Sequence, residues 1–100
     1  MGVRVDVELS YVYRLFFPLS KFRMDIPGDA PDLRQLLDRL YRQSDGRVAR
    51  LLFEEGGSTV LSGLMVMVND RTYTGNEINR ESIRLHEGDK VSLLYFISGG

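Results

Sequence analysis

The chain contains no cysteine. It can therefore form no disulfide, hold no metal through thiolates and offer no nucleophilic thiol, and any sulfur chemistry it serves must draw its sulfur from elsewhere. There is a single histidine, His86, placed beside a turn with neither a nucleophile nor further ligands near it in sequence. It reads as a turn residue rather than a catalytic base. Paired carboxylates, a histidine cluster and a serine-triad pattern are all missing, which argues against an enzyme in its own right and against a resident metal or cofactor. Charge of one sign is missing too: 13 lysines and arginines stand against 14 aspartates and glutamates, a net charge of −1. No global field recruits nucleic acid or an anionic membrane, and neither is expected as a partner. The longest nearly apolar run, Leu61 to Val68, is too short to span a bilayer, and Met1 to Asp6 carries no apolar leader. A cytoplasmic protein is the expectation.

What is present fits one compact domain over residues 1–100 with a flexible tail at 98–100, since 100 residues at 43% hydrophobic content suffice for one core and leave no room for a second. Val3, Val5, Val7 and Leu9 alternate with Arg4, Asp6, Glu8 and Ser10, the period of a strand with one buried face. The alternation continues through Tyr11, Tyr13 and Leu15, so this strand is expected to run long or to bend before Pro18 breaks it. Phe22, Met24 and Ile26 resume the pattern and complete an opening hairpin, with Phe16 and Phe17 packed beneath it. After Pro27–Asp32 the period changes. Leu33, Leu36, Leu37, Leu40 and Tyr41 form one apolar stripe of an amphipathic helix, with Arg34, Gln35, Asp38, Arg39 and Arg42 on its solvated face.

Ser44-Asp45-Gly46 ends that helix. Val48, Leu51, Leu52 and Phe53 fit a short helix or an irregular strand equally well. Glu54–Ser58 reads as an exposed turn, not a phosphate cradle, because no lysine or helix start follows its glycines. Leu64–Val68 is the most continuous apolar strand, turned at Asn69-Asp70 into Arg71-Thr72-Tyr73. If Val66 and Val68 pack on the helix, Met65 and Met67 face the other way, toward a partner or a covering loop. Leu85 is expected to plug the core, Glu87-Gly88-Asp89 to turn, and Val91–Ile97 to form the last strand, which runs straight into Gly99-Gly100. A glycine pair supplies no packing. It either frays, or it lies extended in a channel too narrow for side chains and presents the carboxylate of Gly100 to another protein.

Two hairpins embracing one helix, with the first and last strands adjacent and parallel, make an α+β β-grasp arrangement: a mixed four- to five-stranded sheet packed on one main helix. Leu85-His86-Glu87-Gly88-Asp89-Lys90-Val91, the Val68-Asn69-Asp70 hairpin and the terminal Gly99-Gly100 resemble the ubiquitin-like sulfur carrier family, which includes the small subunit of molybdopterin synthase and the carrier of thiazole biosynthesis. The resemblance implies a carrier that binds no cofactor itself. A ubiquitin-activating-type adenylating enzyme would use ATP to adenylate the carboxylate of Gly100, which then becomes a thiocarboxylate. Gly99 keeps the channel fit, and Ser98 is the last residue with a side chain. The implied acceptor is a molybdopterin-synthase-type large subunit. Carriage for thiazole, cysteine or tRNA thiolation, conjugation to proteins, and a non-covalent interaction module remain as alternatives. The chain departs from the family in its extra length at 11–17 and 47–61, and Tyr95-Phe96-Ile97 lacks the prolines common in the molybdopterin subgroup.

Strand alternation buries Val91 and Leu93 and leaves Leu94 and Phe96 on the outer face. With Ile97, Ser98, Met65 and Met67 they compose the expected partner-binding surface. The alternative is that segment 47–61 covers them within the monomer.

Overall fold

The computed structural model describes residues 2–56 and 58–95. Five strands form one mixed sheet in the order β2-β1-β5-β3-β4. The first two, β1 (Gly2–Leu9) and β2 (Lys21–Pro27), form the opening antiparallel hairpin, with Val5 opposite Met24 and Val7 opposite Phe22. Val5, Val7, Met24 and Ile26 are buried on one face, as the alternation requires.

The first strand does not run long. It stops at Leu9 and the chain turns into a 3-10 helix at Tyr11–Leu15, closed by hydrogen bonds from Tyr13 N–H to Ser10 C=O and from Phe16 N–H to Tyr13 C=O, each 3.0 Å. A period of three separates the tyrosines: Tyr13 is fully buried, while Tyr11 and Leu15 stand out in solvent. The Tyr13 hydroxyl explains the choice, because it donates to the Leu51 carbonyl at 3.2 Å and so satisfies its one polar group inside the core.

The main helix, α1 (Leu33–Gln43), opens with a capping box. The Asp32 carboxylate accepts from Gln35 N–H at 2.9 Å, and the Gln35 side chain accepts from Asp32 N–H at 2.8 Å. Leu33, Leu36, Leu37 and Leu40 lie on the sheet fully buried, whereas Tyr41 stays at the edge and meets Phe53 edge-to-face at 6.0 Å. Asp45 (φ 55°) and Gly46 (φ 79°) take the left-handed conformation that stops the helix.

The ambiguous apolar patch resolves into a one-turn helix, α2 (Ala49–Leu52), followed by a bridge between Phe53 and Val60 across the exposed turn. Val48, Leu52, Phe53 and Val60 all enter the core. Next come β3 (Leu64–Val68) and β4 (Arg71–Thr74), antiparallel through the Asn69-Asp70 turn. A short helix not foreseen from the apolar pattern follows, α3 (Gly75–Arg80), started by a second capping box in which Thr74 and Glu77 cap each other's backbone. Leu85 is buried as expected. The last strand, β5 (Lys90–Tyr95), slots between β1 and β3, parallel to the first and antiparallel to the second. Strand pairing across so great a sequence separation is favoured by the fully buried Val91 and Leu93, whose burial contributes about 1.5–3 kcal/mol each.

Candidate functional site

The strand that leads to the glycine tail is positioned by a polar knot at its start. Gly88 is left-handed (φ 83°), so the chain reverses tightly, and its N–H donates to Arg4 C=O at 2.8 Å. One Asp89 carboxylate oxygen accepts from His86 N–H at 2.8 Å, while the other accepts from the Asn69 amide at 3.0 Å. Asn69 in turn accepts from Lys90 N–H at 3.0 Å and donates its own N–H to Lys90 C=O at 2.8 Å. The Gly-Asp pair noted in the sequence thus has a mechanical role: it ties the start of β5 to β1 on one side and to the β3–β4 turn on the other. His86 is exposed at this turn.

From that anchor, β5 alternates. Val91 and Leu93 point to α1, and Ser92 and Leu94 lie on the opposite face, half-buried. Leu94 pairs with Met65, and Ser92 with Met67, across the β5–β3 ladder. Met65, Met67 and Leu94 are therefore brought together on one sheet face, at cross-strand distances where side chains touch. The described residues of segment 47–61 pack on the α1 side. The segment's backbone is held there by Arg34, which donates to Ser58 C=O, and by Asn79, which accepts from Val60 N–H at 2.8 Å and donates to Val60 C=O at 2.9 Å. Asn79 carried no signal in the hydrophobic pattern, although the Thr74-Gly75-Asn76-Glu77 capping box could have revealed the helix that holds it.

The other half of the same face is charged. Arg4 and Asp25 (2.9 Å), Arg23 and Asp6 (3.3 Å), and Lys21 and Glu8 (3.9 Å) form three rungs between β1 and β2. Hydrogen bonding and charge from Asp25 raise the Arg4 guanidinium above its ordinary value. The sheet thus presents an apolar half beside the strand that leads to the tail and a neutralised, solvated half away from it. Phe96, Ile97, Ser98, Gly99 and Gly100, also expected to take part, lie outside the described residues. Among the described residues there is no group of three or more histidine or carboxylate side chains that could hold a metal, and no helix long and apolar enough to cross a membrane.

Known structures share this architecture. Small archaeal modifier protein 1 of Haloferax volcanii superimposes with a TM-score of 0.74 at 18% identity, covering 96% of this chain and 100% of its own. A putative molybdopterin converting factor subunit 1 from Pyrococcus furiosus gives 0.66 at 15%, with coverages of 95% and 99%. Urm1 of Trypanosoma brucei gives 0.66 at 21%, with coverages of 99% and 97%. At these identities the likeness establishes the β-grasp, ubiquitin-like fold. No curated protein matches the sequence. The family model for the ThiS family matches residues 22–100, a stretch that begins in β2 and runs through the Gly-Asp turn to the final glycines. The chain belongs to the ThiS family of ubiquitin-like sulfur carriers.

Proposed function

We propose that the chain carries sulfur on the carboxylate of Gly100. The observation that carries this reading is the placement of β5: the strand that precedes Gly99-Gly100 in the sequence is clamped between two neighbours, with an apolar face of Met65, Met67 and Leu94 beside its end. A carboxylate is a poor acyl donor until one oxygen becomes a leaving group. An adenylating enzyme would supply this: the Gly100 oxygen attacks the α-phosphorus of ATP, pyrophosphate leaves, and an acyl adenylate results. The outer sulfur of a persulfide then attacks the acyl carbon and AMP departs. A thiol attacks the inner sulfur of the resulting acyl disulfide, which releases the thiocarboxylate and leaves a disulfide behind. With no cysteine in the chain, persulfide and thiol both belong to partners.

The acceptor we favour is a molybdopterin-synthase-type large subunit, in keeping with the molybdopterin converting factor among the structures of the same fold. The modifier proteins of that fold support a second reading, in which a lysine amine attacks the same adenylate and Gly100 ends in an isopeptide bond. Both begin with activation at Gly100. Intact-mass measurement after incubation with the adenylating enzyme, ATP and a sulfur donor should show one oxygen replaced by sulfur, and deletion of Gly100 should abolish the change. Equal modification of the truncated chain would refute the carrier reading. A mass increase by a whole second protein, with no thiocarboxylate formed, would favour conjugation.

A further inference from the structure

The sheet end from which the tail departs is also where the 3-10 segment sits. Parallel pairing places Leu9 opposite Leu93, and Ser10 N–H donates to Leu93 C=O at 3.1 Å. Two residues later β5 ends at Tyr95, and five residues remain to Gly100. Fully extended, five residues reach about 17 Å at most. A partner whose pocket closes on Gly100 must therefore rest on whatever surface borders this end of the sheet.

That border is apolar and basic. Of the four large hydrophobic residues that stand exposed among the described residues, three lie here: Tyr11 (84% exposed), Leu15 (78%) and Leu19 (60%). They are not exposed for want of order, because the residues between them are pinned. Tyr13 is buried and hydrogen-bonded to Leu51, and Phe17 is buried and stacked on Phe22 at 6.4 Å. Scattered surface hydrophobics need no explanation, but three within nine residues of one anchored segment concentrate apolar surface there. No acidic residue occurs between Glu8 and Asp25. Arg14 is exposed between Tyr11 and Leu15, and the Arg47 guanidinium lies over the Phe16 ring, 5.7 Å from its centre. Among the described residues neither arginine forms an ion pair, in contrast to Arg4 and Arg23 on the sheet face.

We propose that Tyr11, Leu15 and Leu19, with Arg14 and Arg47, form a second docking ledge for the adenylating enzyme, which meets it with apolar side chains bordered by carboxylates. The ledge rests on the reading that Gly100 is the group this enzyme acts upon. It adds a grip that the sheet face alone does not provide: contacts on two surfaces bordering the end of β5 fix the orientation of the carrier on the enzyme as well as its distance. An apolar surface without charge would fit the leucines but leave the arginines unmatched, so acidic residues on the partner are part of the complementarity.

The test uses the full-length chain, its cognate adenylating enzyme and ATP, with AMP formation as the readout. The double substitution L15E/L19E should raise the KM for the carrier about tenfold or more while kcat at saturation holds, because the ledge aids binding and not chemistry. R14E should raise KM more at low than at high ionic strength. Both variants should keep the wild-type thermal midpoint, since neither changes a buried side chain. A KM unchanged in both variants overturns the ledge while leaving Gly100 activation intact. Wild-type protein that is not adenylated at all, under conditions where the deletion of Gly100 makes no difference, overturns the ledge and the carrier reading together. Sedimentation showing that the wild type self-associates and that L15E/L19E is monomeric would assign the ledge to a second copy instead and equally overturn the proposal.

Discussion

Gly75 shows how one missing Cβ holds two segments together. It opens α3, and a β-carbon there would collide with the Leu61 carbonyl, so only glycine lets α3 close against the chain leading into β3. Gly75→Ala should destabilise the protein by about 1–3 kcal/mol through overpacking, read as a lowered midpoint in chemical denaturation. Asn79 works by the opposite means, as it supplies polar atoms where a strand neighbour is lacking. Its side chain satisfies both the N–H and the C=O of Val60, a residue fully buried in the core. Asn79→Ala leaves both groups without their partner and should cost about 1–3 kcal/mol, with hydrogen exchange accelerating at the Val60 amide before it does in the sheet. Neither residue was legible in the sequence. A glycine opening a helix and an asparagine within one carry no periodic signal, and their reasons lie in segments fourteen or more positions away.

At the scale of elements, the two faces of the sheet were legible because each strand carries its own alternation, and the structure puts Val66, Val91 and Leu93 inside and Met65, Met67 and Leu94 outside as that alternation requires. The same rule misled at Tyr11–Leu15, where a 3-10 helix with its buried Tyr13 mimics the spacing of a strand. The short helix α3 was missed because one buried isoleucine in six residues gives no stripe, although its capping box was in plain view. For the outer face the expectation is functional rather than structural. Glutamate in place of Leu94, Met67 or Phe96 should weaken binding to the adenylating enzyme, measured by calorimetry or by KM, while thermal midpoints stay within a few degrees. A variant that instead unfolds would place that residue in the core and remove the face from consideration.

For the molecule as a whole, the decisive fact is that its last strand is its middle one. The β1–β2 hairpin and the β3–β4 hairpin share no ladder with each other, and β5 joins them. A chain ending at Asp89 should therefore show no cooperative thermal transition by circular dichroism, whereas loss of Gly100 alone should leave the transition in place. The general outline was readable from the sequence because the terminal strand, the Gly-Asp turn and the leucine stripe each pointed to the same arrangement. The identity of the sulfur acceptor was not, since that depends on a partner's surface and not on this core.

The parallel neighbours β1 and β5 have a further consequence, which concerns force. They run in the same direction, so their outer ends, near Gly2 and Tyr95, lie at opposite ends of one ladder joined at Asp6–Lys90 through Leu9–Leu93. Tension applied between the two chain termini loads all of those hydrogen bonds at once, in shear, and cannot peel them one by one as it would a hairpin. An enzyme of the proposed kind, taking hold of the chain beyond β5, would load β5 first. That strand is held by a ladder on each side, so such a load would be shared across the middle of the sheet.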